Sequence, residues 1–183
     1  MLAKLKKLSI LSILLNLSVI SYSYAKDLNN PPIEIPFSTQ NVGQTYNFDV
    51  NIKQQQTYGV NLYFYLKLPN RWSHFLDKES PEDARRISDI LGSPKLVNHQ
   101  WVEPGVPAKF RVQIIQRPAN KVVLDQLINT PPTNATYMGR HAILAEQELP
   151  KGTYNIRISY LEGSAALAPL QAKIIFFKAY RGK

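Results

Sequence analysis

The chain has 183 residues, no cysteine, 19% charged residues and a net charge of +9 at neutral pH. That length suits one domain with a core of its own, and the missing cysteines exclude disulfide support, a thiol nucleophile and lipid attachment through a cysteine. The basic balance points to acidic partners, such as anionic glycans, phospholipid headgroups or an acidic protein surface.

Residues 1–25 read as a cleaved export signal. Lys4, Lys6 and Lys7 form a positive start, LSILSILLNLSVI from Leu8 to Ile20 supplies an apolar core, and Ser23 and Ala25 supply the small side chains that a signal peptidase needs. The apolar run is shorter than the ~20 residues that span a bilayer, and Asn16 interrupts it. Cleavage after Ala25 is expected to leave Lys26 first, without a stable membrane anchor, in a periplasmic or secreted protein. Losing the three lysines takes the net charge from +9 to +6. Nucleic acid is not an expected partner outside the cytoplasm.

Residues 26–43 contain NNPPIEIPF, with three prolines and no periodicity, and read as an extended lead-in or an edge strand. A single domain is expected over 44–183. It opens with Tyr46, Phe48, Val50 and Ile52 alternating with Thr45, Asn47, Asp49 and Asn51, the pattern of a strand with one buried face. Past a QQQ turn, Val60, Leu62, Phe64, Leu66 and Leu68 alternate with Asn61, Tyr63, Tyr65 and Lys67. Two such strands joined by a short turn predict a hairpin.

One helix is expected in SPEDARRISDILGSP. Ser80 suits the N-cap, Pro81 the first helical position and Asp83 the capping-box position, while Gly92 and Pro94 stop it. Ala84, Ile87, Ile90 and Leu91 share one face and Arg85, Arg86 and Asp89 the other. The helix is expected to lie on the sheet or across one end, and to cover Tyr63 and Tyr65.

Residues 95–107 read as a loop. Strands resume with Phe110, Val112 and Ile114 against Lys109, Arg111 and Gln113, continue through Val122 to Leu124, and follow the TPPTN loop with residues 138–148. In LPKGTYNIRISYLEG, Gly152 is read as a turn glycine. Tyr154 is read as a tyrosine corner, its ring buried and its hydroxyl returned to the turn. The last strand is LQAKIIFFKAY from Leu170. About seven strands, one helix and no alternation of helix with strand predict an all-β protein, an antiparallel immunoglobulin-like β-sandwich.

Catalytic patterns are missing: there is no G-x-S-x-G, H-E-x-x-H, P-loop or G-x-G-x-x-G. His74, His99 and His141 lack the close second ligand of a zinc site, and no cofactor motif is present. Glu79, Glu82, Asp83 and Asp89 are explained by the helix N-terminus that they surround. No enzymatic activity is expected, and carboxylate hydrolysis at Glu79 and Glu82 ranks last among the readings.

Binding is better supported. NRWSHF (70–75) and NHQW (98–101) join aromatic, cationic and hydrogen-bonding groups and hold both tryptophans. Trp and Arg are enriched at the dominant contacts of protein interfaces. Arg71, Trp72, His74, Arg85, Arg86 and Trp101 are therefore the candidate binding residues. The competing reading, that each indole seals an end of the sandwich, is preferred for the tryptophans, since large rings contribute most when buried. Lys109, Arg111, Lys178, Arg181 and Lys183 complete the basic inventory.

ISDILGSP, the strand FRVQII after EPGVPAKF, and ILAEQELPKGTYNIRI with its L-x-x-G-x-Y turn resemble an exported bacterial family, domain-of-unknown-function family 5625. The resemblance implies an envelope-targeted sandwich and carries over no catalytic residue. Members are often lipid-anchored, and this chain lacks the anchoring cysteine. The expected function is non-catalytic binding of a protein partner, as the immunity partner or inhibitor of an envelope-directed toxin. The alternative is a module for a glycan or another envelope polymer, with Trp72 or Trp101 as the stacking platform.

Overall fold

The computed structural model describes residues 30–66, 81–91, 95–136 and 139–179. The export signal, the Ser80 cap and the Gly92 and Pro94 stop lie outside the described residues. Among the described residues eleven strands run in chain order: β1 (Ile33–Phe37), β2 (Thr45–Ile52), β3 (Gln56–Leu66), β4 (Lys95–Val97), β5 (Gln100–Val102), β6 (Ala108–Arg117), β7 (Lys121–Asn129), β8 (Thr133–Thr136), β9 (Gly139–Leu149), β10 (Gly152–Gly163) and β11 (Leu170–Lys178). A single α-helix among the described residues, α1 (Pro81–Leu91), follows β3. The protein is all-β with antiparallel pairing throughout.

Two larger sheets enclose one core. The five-stranded sheet has the order β1-β11-β3-β9-β8 and the four-stranded sheet β2-β10-β6-β7. The inward rows follow the two-residue alternation. Tyr46, Phe48, Val50 and Ile52 of β2, Tyr154, Ile156, Ile158 and Tyr160 of β10, and Val60, Leu62, Phe64 and Leu66 of β3 join one buried cluster. Stacked rings fill it, with Tyr58 on Phe176 at 5.5 Å and Phe110 on Tyr160 at 5.2 Å. With no disulfide, this burial carries the stability.

The expected hairpin of β2 with β3 does not form. Thr45–Ile52 pairs with β10, whereas β3 lies between β11 and β9 in the other sheet. Both strands keep the buried faces read from their alternation, but these faces oppose each other across the core. Residues 53–55 therefore cross between layers. The lead-in is part of the domain: β1 pairs with β11, and Ile33 and Phe37 are buried in the core.

The helix caps the interior and does not cover Tyr63 and Tyr65. Ile87 and Leu91 belong to the core cluster and Ile90 packs against it. Arg140, whose Nε donates to the Ser88 hydroxyl at 2.6 Å, shares a face of β9 with inward Ala142. Tyr63 and Tyr65 point the other way, and Tyr63 stacks on His141 across the strand pair at 4.9 Å. As expected, Arg85, Arg86 and Asp89 are exposed.

The tyrosine corner is present. Tyr154 is fully buried and its hydroxyl donates to the Pro150 carbonyl at 2.9 Å. Gly152 matters less than its place in the turn implies. Its φ of +158° borders on ordinary extended backbone, and a Cβ there would meet the Tyr154 ring at a normal 3.6 Å.

Candidate functional site

Lys95–Val102 is a short hairpin and not the expected loop. Asn98 and His99 take positive φ values of 50° and 66°, the left-handed pair that lets a two-residue turn match the twist of its strands. The register places Leu96 opposite Trp101, with Lys95 opposite Val102 and Val97 opposite Gln100. β4 and β5 pair with each other alone and form a separate two-stranded sheet. An isolated hairpin of three residues a side is marginal in water, so its apolar side chains gain little from the hairpin itself.

Those side chains stand in solvent. Trp101 is 74% exposed and Leu96, directly across from it, 59%, while Val97 and Val102 on the other face are about half exposed. The reading of Trp101 as a buried seal is thereby overturned, because among the described residues the hairpin joins neither larger sheet and the indole stays in solvent. A single exposed hydrophobic side chain is ordinary, whereas a contiguous set on a projecting element marks an interaction surface.

Arg85 and Arg86 sit on the solvent face of α1, whose packing partners are β3, β9 and the short 3-10 turn at Ala165–Leu167. Arg71, Trp72 and His74, like Glu79, lie outside the described residues. Leu96, Val97 and Val102 were missed by sequence reasoning. The available signal was Asn98, a residue tolerant of positive φ, between two short apolar pairs.

Lys109 and Arg111, two of the basic side chains on β6, are both ion-paired. Arg111 makes a two-pronged ion pair with Asp125, Nε to Oδ1 and a terminal nitrogen to Oδ2, both at 2.7 Å, and Gln113 donates to the same carboxylate at 2.9 Å. These hydrogen bonds, Arg111 first, hold the Asp125 carboxyl down at about 2. Lys109 pairs with Glu162 at 2.9 Å. Beside them Asn155, buried on the outward face of β10, donates to Asn47 at 2.7 Å and Asp49 at 2.8 Å and accepts from Arg157 at 2.9 Å. The network satisfies itself and locks β2 to β10.

On the outward face of the other sheet, His141 and Asn61 are buried, and His141 Nδ1 and Asn61 Oδ1 have no hydrogen-bond partner among the described residues. Burial lowers the His141 pKa from its ordinary value, and it raises that of Tyr63 against an opposing hydrogen bond from the Asn61 side chain. Among the described residues no three His, Asp or Glu side chains are grouped to hold a metal ion, and no helix is long and apolar enough to cross a membrane.

Among solved structures, the chain is similar to GEBA250068378 from Sulfurospirillum deleyianum, with a TM-score of 0.59 at 18% identity over 82% of this chain and 98% of that one. That likeness supports the fold alone. A ruminal GH26 endo-beta-1,4-mannanase gives a TM-score of 0.35 at 10% identity, covering 78% of this chain and 19% of that one. An alpha-L-fucosidase from Vibrio sp. strain EJY3 gives 0.32 at 13%, covering 78% and 22%. Neither glycosidase likeness is close enough to carry an argument. No curated protein matches the chain. The match of residues 34–178 to the family model described as Domain of unknown function (DUF5625) takes in every described strand but the first residue of β1, and this chain belongs to that family.

Proposed function

We propose that this protein is an exported, non-catalytic binding protein, a periplasmic immunoglobulin-like β-sandwich that uses the β4–β5 hairpin to hold a protein partner. The observation that carries the reading is the pair Leu96 and Trp101, facing each other and both mostly exposed on a hairpin that, among the described residues, pairs with no other strand. A rigid aromatic beside an aliphatic side chain fits the buried centre of a protein interface, where tryptophan dominates binding energy. The immunity or inhibitor role for an envelope-directed toxin extends this proposal, since a small projecting hairpin suits insertion into a concave surface. Glycan binding ranks second. Trp101 offers a stacking plane with the exposed Asn98, His99 and Gln100 beside it, but its direct cross-strand partner is the apolar Leu96, which suits a protein partner better.

The test is site-specific photocrosslinking from position 100 in living cells that express the full chain. One stoichiometric protein adduct that disappears in Leu96→Ser and Trp101→Ser is expected. No adduct, together with quenching of Trp101 fluorescence by peptidoglycan or polysaccharide fragments, would replace the protein-binding reading with the glycan one.

A further inference from the structure

The chain passes abruptly from solvent into the core after the hairpin. Trp101, Val102, Glu103 and Pro104 are exposed, whereas Gly105 and Val106 are buried. Leu91 on one side of the hairpin and Val106 on the other both belong to the core cluster. The direction of an arm rooted in this way is decided where it leaves the core.

Gly105 forms that root. Its φ of +73° lies in the left-handed region, and a Cβ on it would overlap the Thr130 carbonyl oxygen and lie 2.9 Å from that of Pro131. Both neighbours are backbone atoms, so neither can swing aside. The Val106 amide donates to the Pro131 carbonyl at 2.8 Å and the Thr130 amide to the Ala108 carbonyl at 2.9 Å, which stitches the two segments together around the contact. Thr130 and Pro131 lie where the chain crosses from β7 in one sheet to β8 in the other. Thr130 has a φ of +43°, and a β-branched residue in the left-handed region persists only where its surroundings hold it there. Backbone strain of this kind gathers where a fixed geometry is used, and here it lies at the foot of the exposed arm.

We propose that Gly105 is the positioning residue of the β4–β5 arm. Its missing side chain lets the chain lie against the strained Thr130–Pro131 backbone, and this fixed root presents Leu96 and Trp101 to the partner in one direction. The inference rests on the reading of the hairpin as the binding element. An arm aimed beforehand loses less freedom on binding than one that swings, so the partner meets a ready surface.

The test uses the full chain, whose lack of cysteine allows paired spin labels at Gln100→Cys on the arm and Glu146→Cys on β9, both exposed positions. One narrow distance distribution is expected, with slow hydrogen exchange at the Val106 amide. A broad distribution, or exchange at Val106 as fast as within the arm, would overturn the proposal with no root variant needed. Gly105→Ala is expected to shift or broaden the distribution and to lower the photocrosslink from position 100 at least about ten-fold, while urea unfolding still reports a folded sandwich. A folded variant with the original distribution, or with a displaced arm and an undiminished adduct, would sink it. Val106→Ala thins the same root without adding an atom, and it takes the place of Gly105→Ala, with the same expected and contrary results, if that protein does not fold. No adduct from the unsubstituted chain would refute the binding role and this proposal with it, and a narrow distribution in that protein would trace the failure to the hairpin reading and not to the root.

Discussion

The hydroxyl end of Tyr160 fills the space that a Cβ on Gly163 would need. Tyr160 is fully buried, stacks on Phe110, meets Phe37 edge-on at 5.1 Å and donates to the Thr39 carbonyl at 3.1 Å. Gly163→Ala is therefore expected to lower stability by about 1–3 kcal/mol through overpacking. Tyr160→Phe removes the obstructing oxygen, so the double variant is expected to lose less than the two single losses together. Urea unfolding of the four proteins checks this, and strict additivity would contradict it.

Tyr154→Phe keeps the ring in the core and removes only the hydrogen bond to Pro150. A loss of about 0.5–1.5 kcal/mol is expected, with β10 still formed. Chemical denaturation measures the loss, and an unchanged midpoint would remove the corner's energetic role.

Trp101→Ser and Ile87→Ala separate recognition from folding. Trp101 is mostly exposed, so its replacement is expected to shift stability by less than about 0.5 kcal/mol while abolishing the proposed interaction. Ile87 is fully buried, and its truncation is expected to cost about 2–5 kcal/mol. Thermal melts of both variants, run beside the crosslinking assay, check the contrast.

Acid acts on two groups at different pH. Burial lowers the His141 pKa, so the stability that its neutral ring contributes is fully present above the unfolded value near ~6.5 and is lost as pH falls from there toward the folded value. The melting temperature is expected to fall on acidification across that window, and less steeply in His141→Phe. An identical slope in the variant would assign the effect elsewhere. Asp125, held at about 2, contributes above the ordinary carboxylate range and loses that contribution as pH falls from that range through about 2. NMR titration of its carboxyl is expected to show the depressed value, and Arg111→Met to return it toward the ordinary range.

Alternation made the faces of β2, β3, β6, β10 and β11 legible, because each has enough consecutive positions for a period of two to stand out. It did not reveal partners. Tyr46 and Leu62 read as inward residues of one hairpin, yet they belong to opposite layers, since a buried face is specified by side chains and a neighbour by the whole chain path. β7 read as three residues because the bulge at Ile114/Ile115 disrupts its alternation after Val122. The hairpin at Lys95–Val102 has three residues a side, too few for any period. Trp101 was still recognisable as a candidate by residue type, while its exposure depended on which layer, if any, lay against it.

The register also dictates an order of events. β1 hydrogen-bonds to β11 and β2 to β10, so the opening strands of the domain complete their backbone pairing only with its closing ones. Local units such as β6–β7 and β8–β9 need no such wait. A chain that stops before Gly152 holds β1 and β2 without the strands they pair with, so the backbone of its opening segments is satisfied by water alone.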